Sequence, residues 1–237
     1  METLSIIIPC YNEEATIKRC LERVVMVDLP FGASKQVLVI DDGSRDNSRQ
    51  IVQDFANSHL EVKLLAQPKN MGKGAAIRRG LKEAKGSLIV IQDADLEYDP
   101  EDFKQMMQLF RLKEVDVVFG SRRLLKSNAV SGLVQYWGAE IINFFTNIFY
   151  GARITDQFTC YKMFRSELLQ KIPLKTSRFE IDAELTAKLL RMGQFVQEVP
   201  ITYHPRTIAE GKKIRVKDGF LWLWQIVKHR FTSRSSW

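Results

Sequence analysis

Three acidic residues follow a short apolar run near the middle of the chain. Asp93, Asp95 and Glu97 are each separated by one residue, and residues 87–91 before them have the length and composition of a buried strand. Where a strand ends and the chain turns, such carboxylates can converge, and they repel one another unless a cation neutralises them. Their hard oxygen atoms suit Mg²⁺ or Mn²⁺ and leave positions for substrate phosphates. The spacing therefore predicts a divalent-metal site, with ordinary loop acids as the alternative.

A second acidic turn has the same relation to an earlier apolar run. Asp41 and Asp42 come directly after residues 36–40, which also have the character of a strand. In parallel sheets covered by helices, ligands bind beyond the carboxyl ends of the strands. The acids at 41, 42, 93 and 95 are therefore expected along one rim, although Asp-Gly is also a plain turn signal.

Strand-like and helix-like segments alternate through the first half of the chain. The predicted strands are residues 4–9, 36–40, 62–65, 88–91 and 116–119, and the predicted helices are residues 13–25, 44 or 46 to 57, 74–84 and from 100 onward. This alternation predicts an α/β fold with a mostly parallel sheet flanked by helices.

The second half of the chain is richer in aromatic residues. Residues 130–150 and the predicted helix 216–231 are the most aromatic segments, and residues 181–190 and 195–203 are a predicted helix and strand. The C-terminal segment has paired tryptophans, Trp222 and Trp224, bordered by Lys and Arg, a pattern that suits an amphipathic helix on an anionic membrane surface. Ordinary core packing is the alternative.

Composition narrows the classes of partner. The 237 residues can bury one good core, and 35 Lys and Arg against 28 acids give a net charge of +7. No zinc-ligand spacing or recognition-helix pattern points to nucleic acid. Three scattered cysteines favour a reducing compartment, and neither a signal peptide nor an apolar run of about 20 residues is visible. We therefore expect a cytoplasmic protein whose contact with lipid is at the surface.

Four motifs follow the predicted strands in order. They are Pro-Cys-Tyr-Asn-Glu-Glu at 9–14, Val-Ile-Asp-Asp-Gly-Ser-Arg-Asp at 39–46, Asn-Met-Gly-Lys-Gly-Ala-Ala-Ile-Arg at 70–78 and Asp-Ala-Asp at 93–95. Together they resemble the inverting GT-A-fold glycosyltransferases of family two. The resemblance is strongest to the branch of dolichyl-phosphate mannose synthase and dolichyl-phosphate glucosyltransferase, through further motifs at 120–122, 154–156, 179–185, 203–206 and 210–213.

This resemblance covers nearly the whole chain and implies a single GT-A domain over residues 1–237. By the same resemblance, the domain is expected to consist of a nucleotide-sugar-binding part at 1–122, an acceptor part at 123–215, and an amphipathic membrane-surface helix and tail at 216–237. Many members carry transmembrane helices after this point. A separate membrane protein that delivers the lipid is therefore one candidate partner.

The resemblance also implies which residues hold the donor. Tyr11 would lie flat against the nucleotide base, and Asp42 would accept a hydrogen bond from a ring N–H. Asp93 and Asp95 would hold the metal and the donor diphosphate, with Glu97 where relatives place a third metal ligand. The expected donor-binding residues are Pro9, Tyr11, Asn12, Glu13, Asp42, Lys73, Asp93, Lys212 and Lys213, the last two in a basic loop that could close over the donor.

Two arginines and one acid complete the predicted catalytic set with Asp95. The resemblance implies that Arg122 and Arg206 contact the acceptor phosphate or the diphosphate, as the planar guanidinium suits. It implies that Asp156 lies near the acceptor or the sugar.

The acceptor decides whether a base is needed. A hydroxyl acceptor requires a carboxylate base, for which the choices are Asp156, Glu180, Asp182 and Glu184. A lipid monophosphate is already ionised and can attack once it is held in line. We expect metal-dependent, inverting transfer of a hexose from UDP-hexose or GDP-mannose to a polyprenyl phosphate at the cytoplasmic membrane face. Transfer to a saccharide or protein hydroxyl, as in cell-wall synthesis, and a non-catalytic nucleotide-sugar-binding module are the alternatives.

Overall fold

The computed structural model describes residues 2–128, 133–206 and 216–233. The strands in this part are β1 (Thr3–Cys10), β2 (Ser34–Asp41), β3 (Val62–Ala66), β4 (Leu88–Ile91), β5 (Val117–Ser121), β6 (Lys162–Arg165) and β7 (Gln197–Pro200). The α-helices are α1 (Ile17–Met26), α2 (Ser48–Ser58), α3 (Lys73–Glu83), α4 (Phe103–Leu109), α5 (Leu133–Tyr150), α6 (Ser166–Leu169), α7 (Ile181–Arg191) and α8 (Val216–Phe231).

The strands of the described part form one mostly parallel sheet. Their order is β3-β2-β1-β4-β6-β5-β7, and β6 alone runs antiparallel to its neighbours β4 and β5. The chain moves outward from β1 to β3 and then returns to place β4 on the other side of β1. The order therefore reverses between β1 and β4, where ligands bind in open α/β sheets.

The apolar strands are buried on both faces, which explains their continuous hydrophobic runs. In β1, Ile6 and Ile8 face the core beneath α1, whereas Ile7 faces the opposite core beneath α3. This alternation follows from the two-residue period of a strand. The predicted α/β sheet is confirmed, and its strand ends bring the motif loops to one rim.

The strand β6 was not predicted from the sequence. It contains only two apolar residues between Lys162 and Arg165, which is too short a run to indicate a strand. The side chain of Lys162 is nevertheless fully buried, and its Nζ lies 2.8 Å from Oδ1 of Asp182 at the start of α7. Lys162, whose charge makes β6 hard to predict from the sequence, thus links this strand to α7.

A smaller third core joins α5, α7 and α8. Trp222 of α8 is buried there, and its indole N–H donates to the carbonyl of Phe179 at 2.7 Å. Phe220 and Trp224 on the same helix are exposed. Within the described residues, none of the helices combines the length and apolar character needed to cross a bilayer.

Candidate active site

The acidic loop after β4 concentrates negative charge at the sheet edge. Oδ1 of Asp95 accepts the N–H of Glu97 at 3.1 Å, and Leu96 between them has a left-handed backbone with φ of 64°. Burial raises the pKa of Asp95 to about 7, and the carboxylates of Asp93 and Glu97 add to the shift. An environment that penalises the carboxylate charge this strongly is one that a cation would relieve.

The metal ligands predicted from the sequence are only partly brought together. Across residues 2–128, 133–206 and 216–233, no three His, Cys, Asp or Glu side chains form a ready ligand set. Both oxygens of Glu97 are engaged elsewhere, accepting from the N–H of Arg206 at 2.7 Å and the hydroxyl of Tyr203 at 3.2 Å. The other two predicted ligands are Asp95 and Asp93, and Asp93 is itself paired with Lys73. One or two carboxylates completed by substrate phosphates are what Mg²⁺ commonly uses. The donor set thus fits a Mg²⁺ or Mn²⁺ ion without Glu97.

Lys73 places a positive charge beside the acidic loop. Its Nζ lies 2.8 Å from Oδ1 and 3.0 Å from Oδ2 of Asp93. Burial opposes the charged form of Lys73, but the Asp93 carboxylate outweighs it, so the pKa of Lys73 rises well above its usual value. Lys73 is therefore a cation in the position where the sequence predicted a donor contact.

The glycines around Lys73 allow another loop to approach the start of α3. A Cβ on Gly72 would lie 2.3 Å from the carbonyl oxygen of Ser177, and one on Gly74 would lie 2.7 Å from that of Thr176. Gly72 also has φ of 97°, which side chains rarely adopt. Gly72 caps α3 and Gly74 lies in its first turn, at the start of the helix predicted over residues 74–84.

The loops after β1 and β2 interlock at the end of the rim where the nucleotide is predicted. The N–H of Asn12 donates to Oγ of Ser44 at 3.1 Å, and Oδ1 of Asn12 accepts the N–H of Arg45 at 2.9 Å. The N–H of Glu13 donates to Oγ of Ser48 at 2.7 Å. Asn12, predicted as a donor ligand, thus also builds the loop that would carry the donor.

Asp42 shapes the loop that leads to α3. Although predicted to bind the base, it is only 3% exposed. Its Oδ1 accepts from the amide of Gln67 at 2.6 Å and the N–H of Met71 at 2.8 Å, and its Oδ2 accepts the N–H of Gly72 at 2.8 Å. Pro9 and Tyr11, predicted at the same site, are half-buried at the end of β1.

Arg206 joins the acidic loop to the loop after β1. Its two Nη atoms each lie 3.0 Å from Oε2 of Glu13, and its Nε donates to the backbone carbonyl of Asp95 at 2.6 Å. Two predicted site residues from opposite ends of the chain are thus in contact. Lys212 and Lys213, the predicted basic loop, lie outside the described residues.

Arg122 and Asp156 form a fork-to-fork pair. Nε of Arg122 donates to Oδ2 of Asp156 at 2.7 Å, and Nη2 donates to Oδ1 at 2.8 Å. Asp156 is fully buried; burial opposes its ionisation, but Arg122 outweighs burial and lowers the pKa of the carboxyl. The guanidinium also lies 4.9 Å from the ring centroid of Tyr203, a contact that the sequence did not reveal.

Two other acids considered as catalytic bases are also engaged by cations. Asp182 pairs with Lys162, and Oε1 of Glu184 lies 2.6 Å from Nζ of Lys188. Oε2 of Glu184 also accepts the N–H of Thr176 at 2.8 Å. Glu180, just before α7, is half-buried.

Several curated proteins resemble the chain over most of its length. Dodecaprenyl-phosphate galacturonate synthase of Rhizobium johnstonii is 25% identical over 88% of this chain and 61% of that protein. Dolichyl-phosphate beta-glucosyltransferase ALG5A of Trichomonas vaginalis is 27% identical over 90% of this chain and 68% of that protein. An undecaprenyl-phosphate 4-deoxy-4-formamido-L-arabinose transferase of Pseudomonas fluorescens is 28% identical over 70% of this chain. The chain spans about half to two thirds of the length of these relatives.

The fold matches that of solved glycosyltransferases. Glucosyl-3-phosphoglycerate synthase from Mycobacterium tuberculosis, solved with Mg²⁺ and uridine diphosphate, superimposes with a TM-score of 0.74 at 18% identity, over 99% of this chain and 81% of that one. The same enzyme with Mn²⁺, UDP-glucose and phosphoglyceric acid gives 0.73. These matches confirm the GT-A fold. The family model described as "Glycosyl transferase family 2" matches residues 5–173, which include the acidic loop, Lys73, Arg122 and Asp156. The chain therefore belongs to glycosyl transferase family 2.

Proposed function

We propose that this protein transfers a hexose from a nucleotide sugar to a polyprenyl phosphate, with a divalent cation and with inversion, at the cytoplasmic face of a membrane. The donor is UDP-hexose or GDP-mannose. The relatives named for dodecaprenyl, dolichyl and undecaprenyl phosphate support the acceptor class. The solved neighbour with UDP and Mn²⁺ or Mg²⁺ supports the UDP-linked donor and the metal.

The observation that carries this proposal is the engagement of the acids that could act as a base. Asp156, Asp182 and Glu184 are each bound to a buried or partly buried cation. Although burial opposes their ionisation, the neighbouring cations lower the pKa of the Asp156 and Glu184 carboxyls, which makes both poor proton acceptors. The Asp182 carboxylate is held by the Lys162 ammonium. A hydroxyl acceptor needs such a base, whereas an ionised lipid phosphate does not. The site therefore suits a phosphate acceptor.

The residues of the rim can then be given roles in the transfer. An oxygen of the acceptor phosphate attacks the anomeric carbon opposite the leaving group, so the new C–O bond forms while the bond to the nucleoside diphosphate breaks. Arg122 and Arg206 would hold phosphate oxygens in line. Lys73 supplies a fixed positive charge near the departing diphosphate. A divalent cation bound by Asp93 and Asp95 would neutralise the charge that develops on that group.

An exposed apolar surface supports action on a membrane lipid. Trp137, Ile141, Phe144 and Ile148 recur every three or four residues along α5, and all are exposed. Exposed apolar residues of the neighbouring helix α8 are Phe220, Leu221, Trp224 and Phe231. Large exposed apolar patches on soluble proteins mark sites of interaction with proteins or membranes. We call these eight residues the aromatic face. The exposed Lys228 and Arg230 on α8 suit anionic lipid headgroups nearby.

A hydroxyl acceptor remains the second candidate because of Glu180. This acid is half-buried just before α7, and, unlike the other three acids, it has no ion pair among the described residues. It is therefore the residue that would act as the base in such an enzyme. Loss of Glu180 would then stop transfer, whereas a phosphate-directed enzyme would tolerate it.

The test is a transfer assay with purified protein, Mn²⁺ or Mg²⁺, and a panel of UDP- and GDP-sugars. Each donor is supplied with and without a short polyprenyl phosphate, and the organic phase is assayed for sugar. Lipid-dependent transfer from one donor is the expected result. Donor hydrolysis without a lipid product would favour the hydroxyl acceptor, and saturable donor binding without turnover would favour a non-catalytic module.

A further inference from the structure

Two asparagine side chains of α5 hydrogen-bond to the loop that carries Asp156. Oδ1 of Asn147 accepts the N–H of Ile154 at 2.9 Å, and its Nδ2 donates to the carbonyl of the same residue at 2.9 Å. Nδ2 of Asn143 donates to the carbonyl of Thr155 at 2.7 Å. These contacts satisfy one side of the loop and leave the amides of residues 155 and 156 to find another acceptor.

Glu198 of β7 is that acceptor. Its Oε2 accepts from the N–H and the hydroxyl of Thr155, both at 2.9 Å, and its Oε1 accepts the N–H of Asp156 at 3.1 Å. The Thr155 hydroxyl also lies 2.7 Å from Oγ of Ser121, next to Arg122 in the chain. The Glu198 carboxylate thus binds the backbone that carries Asp156. Through the Thr155 hydroxyl it is also linked to Ser121, the residue before Arg122.

A carboxylate is a costly group for this place. Glu198 is half-buried, and no Lys or Arg forms an ion pair with it among the described residues. Burial raises the pKa of Glu198, which shows that its charged form is penalised, although the amides it binds partly offset this. Two acceptor oxygens in one plane are nevertheless needed to receive successive N–H groups, and a carboxylate offers them without presenting a donor.

We propose that Glu198 is a positioning residue of the transferase site. It fixes the backbone of Thr155 and Asp156 so that both carboxylate oxygens of Asp156 accept hydrogen bonds from Arg122. This pairing directs the remaining guanidinium N–H groups toward a substrate phosphate. The role for Arg122 rests on the proposed function, whereas the positioning of Asp156 and Arg122 rests on the contacts above. Glu198 lies outside the predicted site because it is 42 residues from Asp156 in the sequence.

The first test observes Arg122 directly and needs no activity. Its Nε–H should give a sharp, slowly exchanging signal in a ¹H–¹⁵N NMR spectrum, identified by its loss in Arg122→Lys. Glu198→Gln replaces one acceptor oxygen with an NH₂ that faces backbone N–H groups, so this signal should broaden or disappear. Glu114→Gln, at an exposed turn, is the matched control and should leave it unchanged. An unchanged signal in Glu198→Gln would overturn the proposal.

The second test is a double-mutant comparison of transfer rates. Glu198→Gln alone should lower kcat/KM for the lipid phosphate about 10- to 100-fold, as expected when a charge-assisted contact is lost. In an Arg122→Ala background it should change the rate less than about twofold, because residues that act through one another are not additive. Equal losses in both backgrounds would make Glu198 merely structural.

These tests separate failure of the positioning role from failure of the proposed function. If the wild-type protein transfers sugar to no lipid phosphate, the proposed function fails, but the NMR comparison still decides the role of Glu198. Circular dichroism first checks that Glu198→Gln is folded. If it is not, Glu198→Asp, which keeps the charge but shortens the reach by one methylene, receives the same NMR test with the same criterion.

Discussion

Arg206 and Glu13 are 193 residues apart in the sequence, yet both Nη atoms of the arginine lie 3.0 Å from one oxygen of the glutamate. The pair is largely buried, with side chains 13% and 10% exposed. Arg206 also holds the carbonyl of Asp95 and, through its N–H, the carboxylate of Glu97. Arg206 therefore fixes the acidic loop against the loop after β1.

Replacing Arg206 with alanine should reduce both activity and stability. Breaking a buried ion pair by removing one partner costs about 3–5 kcal/mol, because the other charge stays buried and uncompensated. We expect a lower unfolding midpoint in urea and at least a tenfold loss of kcat/KM. Arg49→Ala removes an exposed arginine of α2 and should do neither. Full activity in Arg206→Ala would remove this residue from the site.

Asp95→Asn should sharply lower metal-dependent turnover while preserving the fold. The substitution removes one of three neighbouring carboxylates, so the melting temperature should stay level or rise as repulsion is relieved. We expect a loss in kcat of about 10²–10³, the usual effect of removing a group that stabilises developing charge. Mn²⁺ binding in the presence of UDP, followed by electron paramagnetic resonance, should weaken in parallel. Metal-dependent turnover at close to the wild-type rate in this variant would place the metal elsewhere.

The sequence predicted the rim of the site better than its internal pairing. Asp93 and Asp95 could be located because a continuous apolar run marks the strand before them. The direction of Glu97 is set instead by Tyr203 and Arg206, more than a hundred residues later. The local sequence pattern predicts where strands end and turns begin, but contacts between distant residues depend on the order of the strands in the sheet. For the same reason the pairing of Arg122 with Asp156 could not be predicted from the sequence.

Acid should destabilise the protein through His229 of α8. This side chain is 5% exposed, and burial together with nearby Lys188 lowers its pKa to about 4. Other charged groups near it are Glu184, Lys228 and Arg191. The unfolded chain takes up the proton near pH 6.5 and the folded chain only near pH 4, so stability falls between these values as pH decreases.

At pH 5 this histidine should have cost about 2 kcal/mol of unfolding free energy relative to pH 7. Urea unfolding at both pH values measures the difference. His229→Gln carries no titrating ring and should reduce the pH dependence by that amount. An identical dependence in wild type and variant would show that His229 does not titrate in this range on unfolding.

The aromatic face should bind membranes. Trp137→Ala, Phe144→Ala and Trp224→Ala together remove three of its large side chains, each worth about 1.5–3 kcal/mol when fully buried. The triple variant should lose flotation with anionic liposomes by at least tenfold. The matched control replaces three exposed apolar residues elsewhere, Met26, Leu60 and Phe195, with alanine and should float like wild type. Equal flotation of both variants would move the membrane contact away from this face.

The most direct test of a phosphate acceptor compares two lipids that differ only in the phosphate. Purified protein is incubated with the donor identified in the screen, Mg²⁺ or Mn²⁺, and either a polyprenyl phosphate or the matching polyprenol. The masses of the lipid products are then measured by mass spectrometry. A phosphate-directed transferase makes a hexose-phosphate-lipid from the first and no product from the second. Glu180→Gln should make the first product at close to the wild-type rate. Transfer to the polyprenol, lost in Glu180→Gln, would show instead that the acceptor is a hydroxyl and Glu180 its base.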